Sequence, residues 1–162
     1  MSISNVFSLI MSDGEDDRAE MAELRAATKK TPRFTMEGQQ VVAKCVDVYD
    51  GDTAQFVYKQ NGKLFRYTCR LLGINTAEMK GGQEEKARAI VARDVLRALI
   101  LDRLVSLKFG PPNDPHGRPL VEVHMLNDGP LCFPPPESIN QQMITGGYAQ
   151  PYTGRGEKKW KA

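Results

Sequence analysis

Three β-forming stretches, Val41 to Tyr49, Thr53 to Lys59 and Leu64 to Leu72, follow one another with only turn-forming residues between them. The first break is Asp50-Gly51 and the second is Asn61-Gly62, dipeptides that favour the tight turns of β-hairpins. In the third stretch Phe65, Tyr67, Cys69 and Leu71 fall on one face, and Arg66, Thr68 and Arg70 on the other. That alternation predicts a half-buried strand.

The period then changes. Between Gln83 and Leu101 the apolar residues Ala87, Ile90, Val91, Val95, Ala98 and Leu99 recur at helical spacing, with Arg88, Arg93, Asp94 and Arg97 largely opposite. Leu104 to Phe109 and Leu120 to Met125 read as two further strands, joined by the turn-rich stretch 111–115. Pro134-Pro135-Pro136 interrupts, and Glu137 to Thr145 reads as a short helix stopped by Gly146-Gly147. Three strands, a helix, two strands and a short helix predict an α+β fold built on a five-stranded Greek-key barrel of the OB type.

Ahead of this body, residues 12–30 read as a helix, with Ser12 and Glu15 fitting a capping box and Lys29-Lys30 at its end. Its apolar stripe is thin, so a loosely docked helix and a free arm are both open. The organisation expected is an N-terminal extension over 1–37, a barrel domain over 38–153 and a basic tail over 154–162.

Charge follows the same division. Residues 1–37 hold five Lys/Arg against seven Asp/Glu, whereas the remainder holds seventeen against thirteen. A mildly basic body suits contact with a phosphate backbone and equally suits an ordinary surface. Cys45, Cys69 and Cys132 form an odd set without metal-ligand spacing, so free thiols in a reducing compartment are expected, and no zinc site with His116 or His124. The short apolar run 6–11 lacks a positive n-region and is too short to span a bilayer. An intracellular protein without membrane attachment is expected.

Three polar segments carry the chemistry: Asp50-Gly51-Asp52-Thr53, Arg70 through Glu78, and His116-Gly117-Arg118. Clustered carboxylates at a turn suit a hard cation such as calcium, although such a turn also forms without metal. An arginine at a strand end can grip a phosphate in two places and offset charge on its oxygens. The alternative for Arg70 is a solvent-exposed salt bridge with Glu78. Arg118, alone, reads as an arginine after a turn.

Taken together and in order, these segments resemble the staphylococcal nuclease-like (thermonuclease) family over about Val41 to Tyr152. The resemblance implies an OB-type barrel that hydrolyses DNA and RNA with calcium, leaving 3′-phosphate ends. By position it implies Asp52, Asn75 and the Thr76 carbonyl as calcium ligands, with Asp50 in support. Arg70 and Arg118 would bind the scissile phosphate, and Glu78 would orient or deprotonate water. Tyr148, Tyr152 and Trp160 are candidates to stack on bases. Relatives in this family continue into a long C-terminal helix where this sequence has the basic run 154–162. The N-terminal helical segment is expected to take that helix's place, within one chain or across a homodimer. A non-catalytic OB-type module binding single strands is the alternative function.

Two positions depart from the family's loop, which usually carries aspartate and proline where this chain has Asn75 and Ala77. Asparagine can still offer an oxygen, but the site has one charge fewer and binds calcium more weakly. Asn75→Asp is therefore expected to lower the calcium concentration for half-maximal activity. A calcium titration of cleavage rate checks this, and identical curves for the two proteins would refute it.

Overall fold

The computed structural model describes residues 14–112, 114–126 and 136–155. They fall into two compact units that divide between Phe34 and Thr35. The expected cap Ser12, the apolar run 6–11, Cys132, Pro134, Pro135 and Trp160 lie outside the described residues.

The first unit holds α1 (Asp16–Ala26), none of whose residues is buried. This helix is shorter than the 12–30 expected from sequence, and its end has a local cause. The Thr31 hydroxyl accepts from the Thr28 N–H at 3.1 Å, and the Thr28 hydroxyl accepts from the Lys30 N–H at 3.2 Å. Threonines that satisfy backbone amides outside a helix compete with its continuation.

The second unit runs β1 (Gln40–Asp50), β2 (Thr53–Gln60), β3 (Lys63–Leu71), β4 (Ile74–Asn75), α2 (Gln83–Ile100), β5 (Leu104–Phe109), β6 (Leu120–Met125), α3 (Ile139–Thr145) and β7 (Gln150–Pro151). Five of the strands close a barrel in the order β1-β2-β3-β6-β5, with β5 returning to β1. All its pairings are antiparallel except β3 with β6, which is parallel. The β2–β3 hairpin turns on Asn61 and Gly62, both at positive φ (49° and 77°). A two-residue turn of that hand matches the twist of the strands it joins. The short pair β4–β7 is an addition that sequence patterning did not anticipate. No described helix is long and apolar enough to cross a membrane.

Cys45, Val48, Phe56, Leu71, Leu107, Val121 and Val123 fill the barrel, and Leu96, Ile100, Ile139 and Met143 close it from α2 and α3. Cys45 and Cys69 are free and buried, and burial pushes their thiols up to about 11 and about 12. The buried face of α2 is Ala89, Ala92, Leu96 and Ile100. Of the residues the sequence placed on that face, Ala87, Val91 and Ala98 are exposed. The helix turns its small residues inward because the β1–β2 turn approaches it closely. A Cβ on Gly51 would lie 2.7 Å from the Ala92 Cβ. The alternation in β3 also needs correction: Phe65 is 48% exposed, whereas Arg70 is 6% exposed.

Asn140 is the buried polar residue that ties α3 to the barrel. Its side-chain oxygen accepts from the Val123 N–H at 2.9 Å, and its amide donates to the carbonyls of Leu72 and Val121 at 2.8 and 3.0 Å. Removing these partners leaves buried backbone groups unsatisfied, so Asn140→Ala should cost about 2–4 kcal/mol. Urea unfolding measures the loss, and a change under about 0.5 kcal/mol, the range of neutral surface substitutions, would contradict it.

Candidate active site

Four turns or strand ends converge at one end of the barrel. Asp50 closes β1, Thr53 opens β2 directly opposite Arg70 near the end of β3, and Arg70 stands in register with Leu120 at the start of β6. The Arg70 N–H donates to the Pro119 carbonyl at 2.9 Å, which fixes the residue after Arg118 beside β3. Asn75 lies in β4, and Thr76 through Lys80 form the loop that follows.

The result is one cleft of about 260 Å³, lined among others by Asp50, Asp52, Arg70, Asn75, Thr76, Glu78 and Arg118. Every residue singled out from sequence as catalytic or metal-binding is therefore brought together. Of the aromatic candidates, Trp160 lies outside the described residues and neither Tyr148 nor Tyr152 lines this cleft. Tyr152 sits under Arg70, with the guanidinium carbon 5.7 Å from the ring centroid, while Tyr148 packs against the core.

Asp52 is the hub. Its Oδ2 pairs with Arg70 Nη1 at 2.7 Å, both side chains being under 10% exposed, and its Oδ1 accepts from the Thr53 hydroxyl at 3.0 Å. The Thr76 N–H points at the same carboxylate at 3.4 Å. Arg70 also donates to the Ile74 carbonyl at 3.0 Å, so the expected alternative of a surface bridge with Glu78 does not form. Arg118 is held in the same manner. Its Nε and Nη2 reach Asp114 Oδ2 at 2.8 and 2.6 Å, and its Nη1 reaches the Thr53 hydroxyl at 3.4 Å.

Asp114 also accepts from the His116 and Arg118 amides at 3.0 and 2.9 Å. Burial works to raise its pKa, but the hydrogen bonds and charge of Arg118 with the His116 amide outweigh it and hold the carboxyl below its usual range. From sequence alone, Asp114 reads only as a turn residue. An aspartate four residues before an arginine, across a proline-glycine turn, was the signal available.

Asp50 is perturbed the other way. Burial, then the neighbouring Asp52 charge, pushes its carboxyl up to about 6, against the Asp52 N–H and Thr53 bonds that lower it. Two crowded carboxylates that disfavour joint ionisation form a place where a cation would be stabilised. Among the described residues no three His, Cys, Asp or Glu side chains converge. The donors on offer are hard oxygens of Asp50, Asp52, Asn75 and Thr76, a set that fits calcium with water completing its shell. The Glu78 carboxylate is exposed and makes no hydrogen bond or ion pair among the described residues. Its backbone N–H donates to Glu85 at 3.3 Å, which anchors the loop on the first turn of α2.

No known family model matches this chain, and no curated protein is significantly similar to it.

Gly51 couples the fold to this site. A Cβ there would meet Ala92 at 2.7 Å and the Thr76 Cγ2 at 2.8 Å, so Asp50, Asp52 and Thr76 must shift together in Gly51→Ala. The expected cost is about 1–3 kcal/mol from overpacking, with loss of any calcium-induced rise in melting temperature. Scanning calorimetry with and without calcium checks both, and adding Ala92→Gly should recover part of each. An unchanged calcium response would show that the turn does not set the donor positions.

Proposed function

We propose that this protein hydrolyses phosphodiester bonds of DNA, RNA or both, with calcium, on an OB-type barrel of the nuclease-like family it resembles. One observation carries the reading: two aspartate-held arginines and an unpaired glutamate meet at one cleft beside a crowded carboxylate pair. Phosphate binding alone would need the arginines but not Glu78. The barrel order supports the OB-type assignment, since its five strands, counted in chain order, run 1-2-3-5-4 before closing on the first.

In this reading Arg70 and Arg118 grip the non-bridging oxygens of the scissile phosphate. Each has more donors than its present bonds use, and each arrives already oriented, so little is reorganised as charge grows on the phosphoryl oxygens. Glu78 accepts a proton from water as the water oxygen bonds to phosphorus. The bond from phosphorus to the 5′ oxygen breaks, the leaving oxygen takes a proton from solvent, and a 3′-phosphate remains. Asp52, Asn75 and the Thr76 carbonyl, with Asp50 in support, would hold the cation. Bound there, calcium would polarise a phosphoryl oxygen and act as a template.

Digestion of single-stranded DNA and RNA with calcium or chelator tests the proposal. Glu78→Gln is the informative variant because the side chain is exposed and its loss leaves the fold alone. Its rate should fall about 10²–10⁴-fold. Arg70→Ala should fall at least as far, with reduced stability because Asp52 loses its partner. Absence of cleavage by folded protein at millimolar calcium would leave a single-strand-binding module as the reading.

A further inference from the structure

Resting on the phosphodiester reading of the cleft, we propose that the outward face of β2 and β3 carries the substrate strand away from the scissile phosphate, with Arg66 and Lys59 gripping its backbone. The strand pairing sets this face. Thr53 stands opposite Arg70, Gln55 opposite Thr68, Val57 opposite Arg66, and Lys59 opposite Leu64. The alternate residues Ala54, Phe56, Tyr58, Cys69 and Leu71 are buried in the barrel. Side chains alternate across a strand, so Arg70, Thr68 and Arg66 share one side of β3.

Arg66 is therefore about 13 Å along the strand from Arg70, at roughly 3.3 Å per residue. Arg66, Thr68 and Lys59 are exposed. Arg66 and Lys59 make no ion pair or side-chain hydrogen bond among the described residues. Lys44 faces Val57 from β1 and has only a loose contact with Asp102 at 3.7 Å. The acid bordering the face is Asp47, opposite Gln55 on the β1 side, away from β3.

Two unpaired cations, Arg66 on β3 and Lys59 on β2, on the side that bears Arg70 are complementary to a polyanion entering the same cleft. The occupant is the sugar–phosphate backbone of a single strand. Half-buried Val57 and exposed Leu64 would suit a protein-docking face as well, but the unpaired Arg66 and Lys59 on the side that leads to the cleft favour the nucleic acid.

The test is binding of a labelled single-stranded oligonucleotide to the full chain in chelator, across a series of salt concentrations. The proteins compared are wild type, Arg66→Ala/Lys59→Ala, and Lys86→Ala/Arg88→Ala, which removes equal charge from α2. Each single-strand phosphate contact adds about 0.7 to the slope of log affinity against log salt. The β2–β3 pair should lower that slope by about 1.4 and weaken binding on the order of tenfold near 0.1 M salt. Arg66→Lys should retain most of the slope, and the α2 pair should leave it intact. Equal losses in both pairs would reduce the effect to net charge and overturn the proposal, as would no loss in either. So would an unaltered oligonucleotide affinity together with a Leu64→Asp change in sedimentation mass, which would mark the face as a protein contact. If the β2–β3 losses occur but wild type cleaves nothing with calcium, the hydrolase reading falls while the track stands.

Discussion

The buried pair between Asp52 and Arg70 is the constraint on which the rest of this site depends. At 2.7 Å and almost out of solvent, it joins the β1–β2 turn to the end of β3. Taking two charges out of water is expensive, and such a pair is retained only where further bonds satisfy it. Here Thr53 and Thr76 serve the aspartate, while the Ile74 carbonyl and the Tyr152 ring serve the arginine. Thr53 opens β2, Ile74 lies in β4, Thr76 follows it, and Tyr152 follows β7. Satisfying one ion pair therefore ties the β1–β2 turn, β4 with its loop and the stretch after β7 to the end of β3.

The second arginine reaches the site by backbone, not by charge. Parallel pairing of β3 with β6 sets Arg70 against Leu120, and the Arg70 amide donates to Pro119. Arg118 must then lie at the same end, and Asp114 only aims its side chain. Shifting that register by one residue would turn Arg118 away however well the turn itself formed.

What could be read from the sequence was local. The Asn61-Gly62 hairpin, the β2 and β5 strands and the stop of α3 at Gly146-Gly147 follow from side-chain period and turn chemistry. The polar motifs also announced the cleft, because each sits at a strand end where a turn exposes it. Three features escaped for one reason. Arg70 lies on the outward side of its strand, which alternation reads as solvent, yet the β4 loop covers it. Val91 and Ala92 are both apolar, so composition could not say which faces the core; the close approach of Gly51 decides. Asn140 looks like a helix-surface residue until the unpaired groups of Leu72, Val121 and Val123 are known. Each depends on a neighbour remote in sequence, and periodicity carries no information about remote neighbours.

The barrel interior is filled by side chains, so any ligand must be handled on its outer surface or rim. That makes the difference between the two arginines meaningful. The Arg70 side chain is 7% exposed and bonded on several sides, whereas the Arg118 side chain is 25% exposed and held mainly by one carboxylate. Arg70 is fixed to the fold and can serve as the reference against which a phosphate is placed. Arg118, on the turn that Gly117 makes at positive φ, is the more accessible of the two and is aimed by Asp114. In the hydrolysis proposed above, a phosphate would thus meet one buried and one more accessible guanidinium, each aimed by an aspartate. Such a pairing would leave little to reorganise as charge develops on the transferring group of that proposed reaction.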